Sequence, residues 1–346
     1  MPVDDPIPED LVPVPARFAR MRRYASDGAL WLFDRETGLS AVCDGPETAH
    51  LRRRAPRVVQ FGITNASNLR CGFCSRDLAA RSEWTVDSAF AILSELGASG
   101  VLEVAFGGGE PFAFRRFDDL VCRLYDETEL AVSVTTNGTL LRSETLARVG
   151  SKLGQVRVSA YDDSDWRGAL ARLEAADVRR GVNWLLTPAR LRSLEDDLFE
   201  LLELGVRDVL LLSYNGEERA LHIPRSQWPE MASRVKTLAR ALDRRMQIKL
   251  DVCWGARMDG VPQLFAGERC VAGVDFIVLG SDRTVRPCSF HDTAVRVETA
   301  DDVLRVWRTS RDLFEAPARR PGCARDANFG YERLGAARRR LEMVSA

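Results

Sequence analysis

Cys71 and Cys74 are the pair of residues with the clearest chemical potential in this 346-residue chain. A CxxC spacing places two thiolates on one tight loop, where both can bind a single metal centre or take part in redox exchange. The chain contains eight cysteines and three histidines, which favours thiolate ligands over imidazole-based zinc or haem sites. So many cysteines in an intracellular chain of this length are expected to bind metal and not to form a disulfide framework. The composition therefore favours iron–sulfur chemistry.

Three other segments carry residues suited to a small polar ligand, and each follows an apolar run. Residues 107–111 read Gly-Gly-Gly-Glu-Pro, and consecutive glycines let a backbone approach a ligand closely. Residues 135–138 read Thr-Thr-Asn-Gly, and Ser159 is followed by Asp-Trp-Arg-Gly at 165–168. Taken singly, these are ordinary turns and a surface arginine. Their order, each after a successive strand, favours one common site.

Apolar runs alternate with amphipathic stretches between residues 58 and 252. Strands are predicted at 58–64, 102–106, 131–136, 156–160, 182–187 and 209–214. Helices are predicted between them, near 85–98, 117–127, 142–149, 165–177 and 194–204, followed by a helix at 227–246 and a strand at 247–252. Alternating strands and helices indicate βα units of a parallel sheet. Six such units are fewer than the eight of a closed barrel.

The chain divides into four predicted parts. Residues 1–57 begin as a proline-rich arm and contain a possible hairpin with strands at 29–33 and 38–43. The barrel pattern occupies 58–252. After Cys253 the pattern changes to two short strands around a turn, without an intervening helix, so that 253–330 forms a smaller module. Residues 331–346 are predicted as an arginine-rich C-terminal helix.

The cysteine segment, with the segments that follow it, resembles a known family. Residues 67–74 read Ser-Asn-Leu-Arg-Cys-Gly-Phe-Cys and are similar to the CxxxCxxC signature of radical S-adenosylmethionine (SAM) enzymes. In that signature three thiolates hold a [4Fe–4S] cluster whose fourth iron is open to SAM. Ser67 stands where the first cysteine is expected. The resemblance covers roughly residues 58–330 and implies an α/β fold, a partial (β/α)6 TIM-type barrel with a small C-terminal Twitch/SPASM-like module.

The same resemblance implies roles for the polar segments. Gly108, Gly109 and Glu110 would meet the amino group of the SAM methionine. Ser159 would meet the ribose hydroxyls, and Arg167 would meet the SAM carboxylate as a bidentate fork. The full set of residues expected to bind this cofactor is Phe73, Gly108, Gly109, Glu110, Asn137, Ser159 and Arg167.

A second metal site is implied after residue 252. Cys270, and Cys288 at the end of Asp-Arg-Thr-Val-Arg-Pro-Cys, resemble the hairpin of Twitch and SPASM extensions that bind an auxiliary [4Fe–4S] cluster; Arg283 replaces the usual glycine. Because only Cys323 follows, the count favours a Twitch module with one cluster. Cys253 is a candidate fourth ligand, since such a cluster takes four thiolates. A buried free thiol is the alternative for Cys253.

Ser67 leaves three interpretations open. A serine hydroxyl is a much poorer iron ligand than a thiolate, because its oxygen is hard and its pKa is high. Ser67 could be an introduced substitution that impairs the radical cluster, a natural loss that leaves a pseudoenzyme, or a serinate ligand that sustains weak activity. The intact state of the other motifs favours the first.

The implied activity is hydrogen abstraction by a 5′-deoxyadenosyl radical formed from SAM at the [4Fe–4S] cluster. Relatives with an auxiliary cluster often modify ribosomally made peptides (RiPPs), which is our first expectation. The alternatives are dehydrogenation or decarboxylation of a sugar or natural-product intermediate, and a catalytically degenerate protein that binds SAM or peptide. The cluster implies an electron donor of the flavodoxin or ferredoxin type. The sequence identifies no acid, base or radical partner.

The composition argues against nucleic-acid and membrane partners. The formal net charge is −1, so no global field attracts an anionic polymer or surface. No segment approaches the ~20 apolar residues of a membrane span. The acidic, proline-rich N-terminus is unlike a signal peptide, and we expect a cytoplasmic protein.

Overall fold

The computed structural model describes residues 7, 11–12, 14–74, 76–258, 260–265, 270–320 and 322–325. The C-terminal helix predicted at 331–346 lies outside these residues, as does most of the proline-rich start of the chain. No helix within the described ranges is long and apolar enough to cross a membrane.

The N-terminal part forms a small antiparallel sheet. The predicted hairpin is present as β2 (Ala29–Phe33) and β3 (Ser40–Asp44), and β1 (Arg22–Ser26) pairs with the other side of β2. Leu30 and Leu32 of β2 are fully buried, so the alternation of the central strand supplies the core of this sheet. The short apolar runs therefore form a sheet of three strands where the sequence predicted two.

Seven parallel strands form the central sheet. They are β4 (Val58–Thr64), β5 (Glu103–Gly108), β6 (Ala131–Thr136), β7 (Gln155–Ser159), β8 (Arg180–Leu186), β9 (Asp208–Ser213) and β10 (Gln247–Leu250). Each pairs in parallel with the next in chain order. All the strands that the sequence predicted from residue 58 to residue 252 are present. The mixed α/β fold with a parallel sheet is therefore confirmed.

The helices cover the outer face of this sheet. They are α1 (Val86–Ala98), α2 (Phe117–Glu127), α3 (Ser143–Val149), α4 (Trp166–Ala175), α5 (Pro188–Arg192), α6 (Leu194–Glu203) and α7 (Trp228–Leu242), followed by α8 (Ala300–Thr309) and α9 (Arg311–Glu315). Helix α1 begins at a capping box, in which the Thr85 hydroxyl accepts from the Ser88 N–H and so satisfies a free donor of the first turn. The apolar faces of the helices and the outward side chains of the strands form one large core.

The segment after residue 252 extends the same sheet. Strand β11 (Phe276–Leu279) runs parallel to β4, and β12 (Thr284–Arg286) and β13 (Val295–Arg296) follow antiparallel. All residues of β11 are buried, which explains its attachment to the barrel, since an apolar strand is stable where both faces are covered. Strands β11 and β12 and the turn between them were predicted.

The turn between β11 and β12 contains an unusual residue. Arg283 has a φ of 54°, in the left-handed region that costs a residue with a side chain about 1–2 kcal/mol. Its guanidinium pairs with Glu298 at 3.1 Å and lies 4.3 Å from the ring centre of Trp84. These contacts offset the strain at this position.

Candidate active site

A cavity of about 1200 Å³ runs through the interior of the barrel. At the carboxyl ends of the strands, where barrel enzymes place their sites, it is bordered by the cysteine loop, which we define as residues 65–74. The expected site residues that line it are Ser67, Cys71, Phe73, Cys74, Gly108, Gly109, Asn137, Ser159, Cys253 and Cys288. The topology thus brings most of the residues singled out in the sequence to one cavity.

The cysteine loop is held by short-range hydrogen bonds. The Cys74 N–H donates to the Cys71 carbonyl at 2.9 Å, which closes a turn between the two cysteines, and their thiols lie within electrostatic range of each other. The Ser67 hydroxyl accepts from the Leu69 N–H at 3.2 Å. Asn68 connects the loop to the end of β6, because its side-chain oxygen accepts from the Asn137 amide at 3.0 Å. Ser67 therefore has a local structural role in addition to its place in the signature.

Charged groups surround the two thiols. Burial raises the pKa of the Cys71 thiol to about 11, and the nearby Asp163 carboxylate and Cys74 add to this shift. The guanidinium of Arg76 lies within electrostatic range of Cys74 and lines the same cavity. A ligating cysteine must lose its proton, and a nearby cation favours the thiolate. Neither Asp163 nor Arg76 belongs to a recognisable motif, so sequence reasoning missed both.

Two aromatic rings fix the loop against the barrel. Phe73 meets Tyr161 edge to face, with ring centroids 4.7 Å apart, a favourable arrangement for aromatic pairs. The Tyr161 phenol contacts the Ser159 hydroxyl, and burial raises the pKa of the phenol. Tyr161 follows β7 directly and was not identified from the sequence. It joins the expected ribose-binding serine to the cysteine loop.

The glycines of the 107–111 segment are required by close packing. A Cβ on Gly108 would lie 2.3 Å from the Thr64 carbonyl oxygen, and one on Gly109 would lie 2.2 Å from the Ala66 carbonyl oxygen. The N–H of Gly109 donates to Thr64 at 2.7 Å, and that of Glu110 donates to Ala66 at 2.8 Å. The glycines thus let the 107–111 segment pack directly against the start of the cysteine loop.

The Glu110 side chain is directed away from the cavity. It is fully buried and accepts from the Thr136 hydroxyl at 2.8 Å, the Asn137 N–H at 2.8 Å and the Phe112 N–H at 3.1 Å. Burial raises the pKa of this carboxyl, and the three hydrogen bonds oppose the shift. The side chain of Glu110 joins two strand ends, so a contact with the SAM amino group would have to come from its backbone.

Arg167 does not reach the cavity. It is the second residue of α4, which is capped by the Asp165 carboxylate, and its exposed guanidinium pairs with Glu200, with the Nη2–Oε2 distance at 2.8 Å. This position turns the side chain outward, toward α6. The expected contact of Arg167 with the SAM carboxylate is therefore absent from this arrangement of the described residues.

The four late cysteines come together beside the cavity. Burial raises the pKa of the Cys253 thiol, and Cys288, Cys270 and Cys323 all lie within electrostatic range of it. Burial also raises the pKa of Cys288 to about 11 and that of Cys270. These cysteines are separated by up to 70 positions, and the fold gathers them at one place.

An arginine clamps the segment that carries Cys323. Arg325 donates from Nη2 to the Cys270 carbonyl at 2.8 Å and to the Ala272 carbonyl, and from Nη1 to the Phe314 carbonyl. A guanidinium is suited to such a role because it offers five donors in a fixed fork. Arg325 was not identified from the sequence.

The two groups of cysteines differ in how well they fit iron–sulfur clusters. In the described ranges, no three His, Cys, Asp or Glu side chains stand close enough to hold a single ion. A cluster separates its thiolates more widely, since each binds a different iron, and the four late cysteines fit such a group in number and type. In the cysteine loop, Cys71 and Cys74 fit, whereas the Ser67 hydroxyl is a hard donor already hydrogen-bonded within the loop.

Comparisons with known proteins show what this chain is similar to. Residues 62–165 match the family model of the radical SAM superfamily. The PqqA peptide cyclase of Rhodopseudomonas palustris is 35% identical over 289 residues, which covers 74% of this chain and 74% of that protein. A probable GTP 3′,8-cyclase of Methanosarcina mazei is 27% identical over 307 residues, covering 75% of this chain and 87% of that protein.

Solved structures show the same fold. Streptococcus suis SuiB bound to S-adenosylmethionine matches with a TM-score of 0.59 at 17% identity, over 74% of this chain and 66% of SuiB. SuiB bound to the precursor peptide SuiA gives 0.58 at 17% identity, over 74% of this chain and 65% of SuiB. The chain thus spans about two thirds of the length of SuiB, and at this identity the likeness concerns the fold alone. The match to the peptide cyclase, at 35% identity over 74% of that protein, together with the family match over residues 62–165, shows that the chain belongs to the radical SAM superfamily.

Proposed function

We propose that this chain is a radical SAM enzyme that abstracts hydrogen from a peptide substrate, as an oxidoreductase or maturase in RiPP modification. The observation that carries the proposal is a single cavity bordered by the cysteine loop, by the expected SAM residues and by two of the late cysteines. The relationship to a PqqA peptide cyclase supports a peptide as the substrate. A cytoplasmic location and an electron donor of the flavodoxin or ferredoxin type belong to the same proposal.

The residues around the cysteine loop would bind and orient SAM. The backbones of Gly108 and Gly109 line the cavity. The Ser159 hydroxyl lies at the end of β7, and the Asn137 side chain is held in place by Asn68. Phe73 and Tyr161 form an aromatic wall beside the loop.

The cysteines would hold two clusters. Cys71 and Cys74 would ligate the [4Fe–4S] cluster, which with bound SAM supplies a 5′-deoxyadenosyl radical for hydrogen abstraction. We propose that Ser67 impairs this cluster, because a hydroxyl replaces the third thiolate. Cys253, Cys270, Cys288 and Cys323 would hold an auxiliary [4Fe–4S] cluster beside the cavity, which two of them line.

A second candidate function is chemistry on a small polar molecule. The relationship to a probable GTP 3′,8-cyclase extends over 87% of that protein, and polar side chains line much of the barrel interior. A third candidate is a protein that binds SAM or peptide without turnover, which Ser67 favours. Reconstitution of a Ser67→Cys variant separates this last possibility from the enzyme proposals.

The test compares the chain with a Ser67→Cys variant after anaerobic reconstitution. Iron content and the reduced-state EPR spectrum are recorded with and without SAM, and 5′-deoxyadenosine is measured after reduction. We expect the variant to gain about four irons, a SAM-sensitive signal and SAM cleavage. A Ser67→Ala variant is the matched control, since it also lacks the hydroxyl but adds no thiol.

Each result has a definite meaning. The same SAM-sensitive signal in the original chain and in Ser67→Cys, lost in Ser67→Ala, would identify the serine as a ligand. If none of the three proteins binds SAM, the enzyme proposal fails. Given SAM cleavage, incubation with a precursor peptide and with nucleoside triphosphates then distinguishes the two substrate classes by mass spectrometry.

A further inference from the structure

The barrel interior below the cysteine loop contains polar side chains without partners. Asn183 of β8 is 6% exposed and lines the cavity, and its carboxamide oxygen has no hydrogen-bond partner among the described residues. A buried carboxamide without a partner costs free energy. Because a half-turn of the amide exchanges its donor and acceptor, Asn183 can offer either one to a ligand in the cavity.

Lys249 places a positive charge in the same wall. It lies on β10, lines the cavity and pairs with Asp208 at 2.8 Å. An ammonium has three N–H donors, so this pair leaves donors for a further acceptor. Asp208 also accepts from Arg157 at 2.8 Å, and the group of Arg157, Asp208 and Lys249 therefore carries a net charge of +1.

Cations and carboxylates are nearly balanced around the cavity as a whole. Its described lining contains eight arginine or lysine residues and four acidic residues, and three of the arginines pair with carboxylates just outside the lining, namely Glu36, Asp275 and Glu174. The local surplus at Arg157, Asp208 and Lys249 is therefore the feature that attracts an anion in this low-dielectric wall.

The geometry points to a substrate carboxylate bound by Lys249, with Asn183 as the second hydrogen-bond partner, because both residues stand level with Leu210 on the two strands that flank β9. This inference rests on the proposed function, because it takes the cavity as the substrate chamber. A carboxylate fits better than a phosphate, since only one cation of the charged group is available. The other cation of this group, Arg157, has its Nη1 atom buried against Gly181. A Cβ added to Gly181 would lie 3.2 Å from that Nη1 atom.

A carboxylate of this kind could belong to an acidic residue of a peptide or to a free organic acid. The probes are acetyl-Ala-Glu-Ala-amide for the first and glutarate for the second, with acetyl-Ala-Gln-Ala-amide as the neutral match. The chain has three lysines, at positions 152, 236 and 249. Amine-reactive labelling followed by mass spectrometry therefore measures the access of reagent to Lys249 separately from the other two.

We expect a saturating acidic probe to slow labelling of Lys249 at least about fivefold, and the neutral peptide to have little effect. Lys152 is the internal control, since it pairs with Asp126 on the outer surface and should label at an unchanged rate. Protection by the glutamate peptide but not by glutarate indicates a peptide source, and the reverse indicates a small acid. Equal labelling of Lys249 with all probes, or equal protection by the neutral peptide, would overturn the inference.

Variants test the same contact by affinity. Lys249→Met should weaken binding of the protective probe by about tenfold or more, the loss expected for a hydrogen bond to a charged group. Lys152→Met breaks a comparable lysine–aspartate pair away from the cavity and should bind with unchanged affinity. Lys249→Arg keeps the positive charge and should bind the protective probe with nearly the affinity of the original chain. This variant provides the test of the contact if Lys249→Met fails to fold. Unchanged affinity in a folded Lys249→Met protein would refute the assignment.

These measurements use the chain without an active cluster. They are therefore independent of SAM cleavage in the Ser67→Cys protein. If SAM chemistry fails while the probe protects Lys249, the proposed function is wrong and the carboxylate site remains. If SAM chemistry succeeds and Lys249 is not protected, the carboxylate site is wrong and the proposed function remains.

Discussion

The buried carboxylate of Glu110 offers a sharp test of how the site is held together. Its two oxygens accept three hydrogen bonds, two of them from the backbone N–H groups of Phe112 and Asn137. In Glu110→Ala these two donors lose their acceptor inside the protein, at a cost of about 1–3 kcal/mol each. The Thr136 hydroxyl can rotate toward another acceptor. We expect the free energy of unfolding to fall by about 2–6 kcal/mol.

Glu110→Gln separates the hydrogen bonds from the charge. Whichever way the amide is turned, its NH2 group faces one of the two backbone N–H donors, so one hydrogen bond is lost and two are retained. The expected loss of stability is about 1–3 kcal/mol. Because burial raises the pKa of Glu110, removing the charge also relieves a cost, which places the effect toward the lower end of that range.

Thermal unfolding followed by circular dichroism measures these losses, with Glu200→Ala as the control. Glu200 forms an exposed pair with Arg167, and losing such a pair costs no more than about 1 kcal/mol. SAM titration in the Ser67→Cys background completes the test, and Glu110→Gln should change SAM affinity little. If Glu110→Gln melted like the original chain but lost SAM binding, Glu110 would be a SAM ligand and our reasoning would be refuted.

Two further predictions concern the charged interior and the late cysteines. Burial acts to raise the pKa of Asp208, but its cationic partners Arg157 and Lys249 outweigh burial and lower the pKa. The stability that these ion pairs contribute is therefore present above about pH 4 and is lost as the pH falls through the lowered pKa. In Asp208→Asn the melting temperature should decline less steeply below pH 5 than in the original chain. The surface variant Lys152→Met is the control and should keep the original slope. An unchanged slope in Asp208→Asn would contradict this prediction. Arg325→Ala should release the Cys323 segment and lower the iron bound by the chain, whereas Arg320→Ala, which removes an exposed pair with Glu217, should leave iron content unchanged. Equal iron in both arginine variants would rule out a clamp.

The periodicity of apolar residues along the chain predicted the order of strands and helices. The strands of the parallel sheet were predicted within a few residues, because buried parallel strands are short apolar runs separated by amphipathic helices. The first strand, Arg22–Ser26, was missed: all its residues are only partly buried, so it lacks the contrast that marks a strand. The attachment of Phe276–Leu279 to Val58–Thr64 could not be predicted, since strand order depends on packing between distant segments.

The candidate site was predictable in its local motifs and much less so in the directions of its side chains. The cysteine loop and the glycine segment carry their chemistry in adjacent residues, and both lie at the cavity. Glu110 and Arg167 follow the same motifs, yet one side chain is buried between strand ends and the other faces solvent. Tyr161, whose position depends on the end of a strand, gave no signal in the sequence.

The sequence by itself determined the residue types, their order and the periodicity of the elements, and these were sufficient to indicate the superfamily and the parallel α/β barrel. They act over a few residues, through spacing along one loop, strand or helix. Only the tertiary structure gathered Cys253, Cys270, Cys288 and Cys323 and placed Lys249 beside Asp208 within the cavity. Those contacts join strands and loops that are far apart in the chain, and their geometry is decided by how the sheet curves and how the core packs.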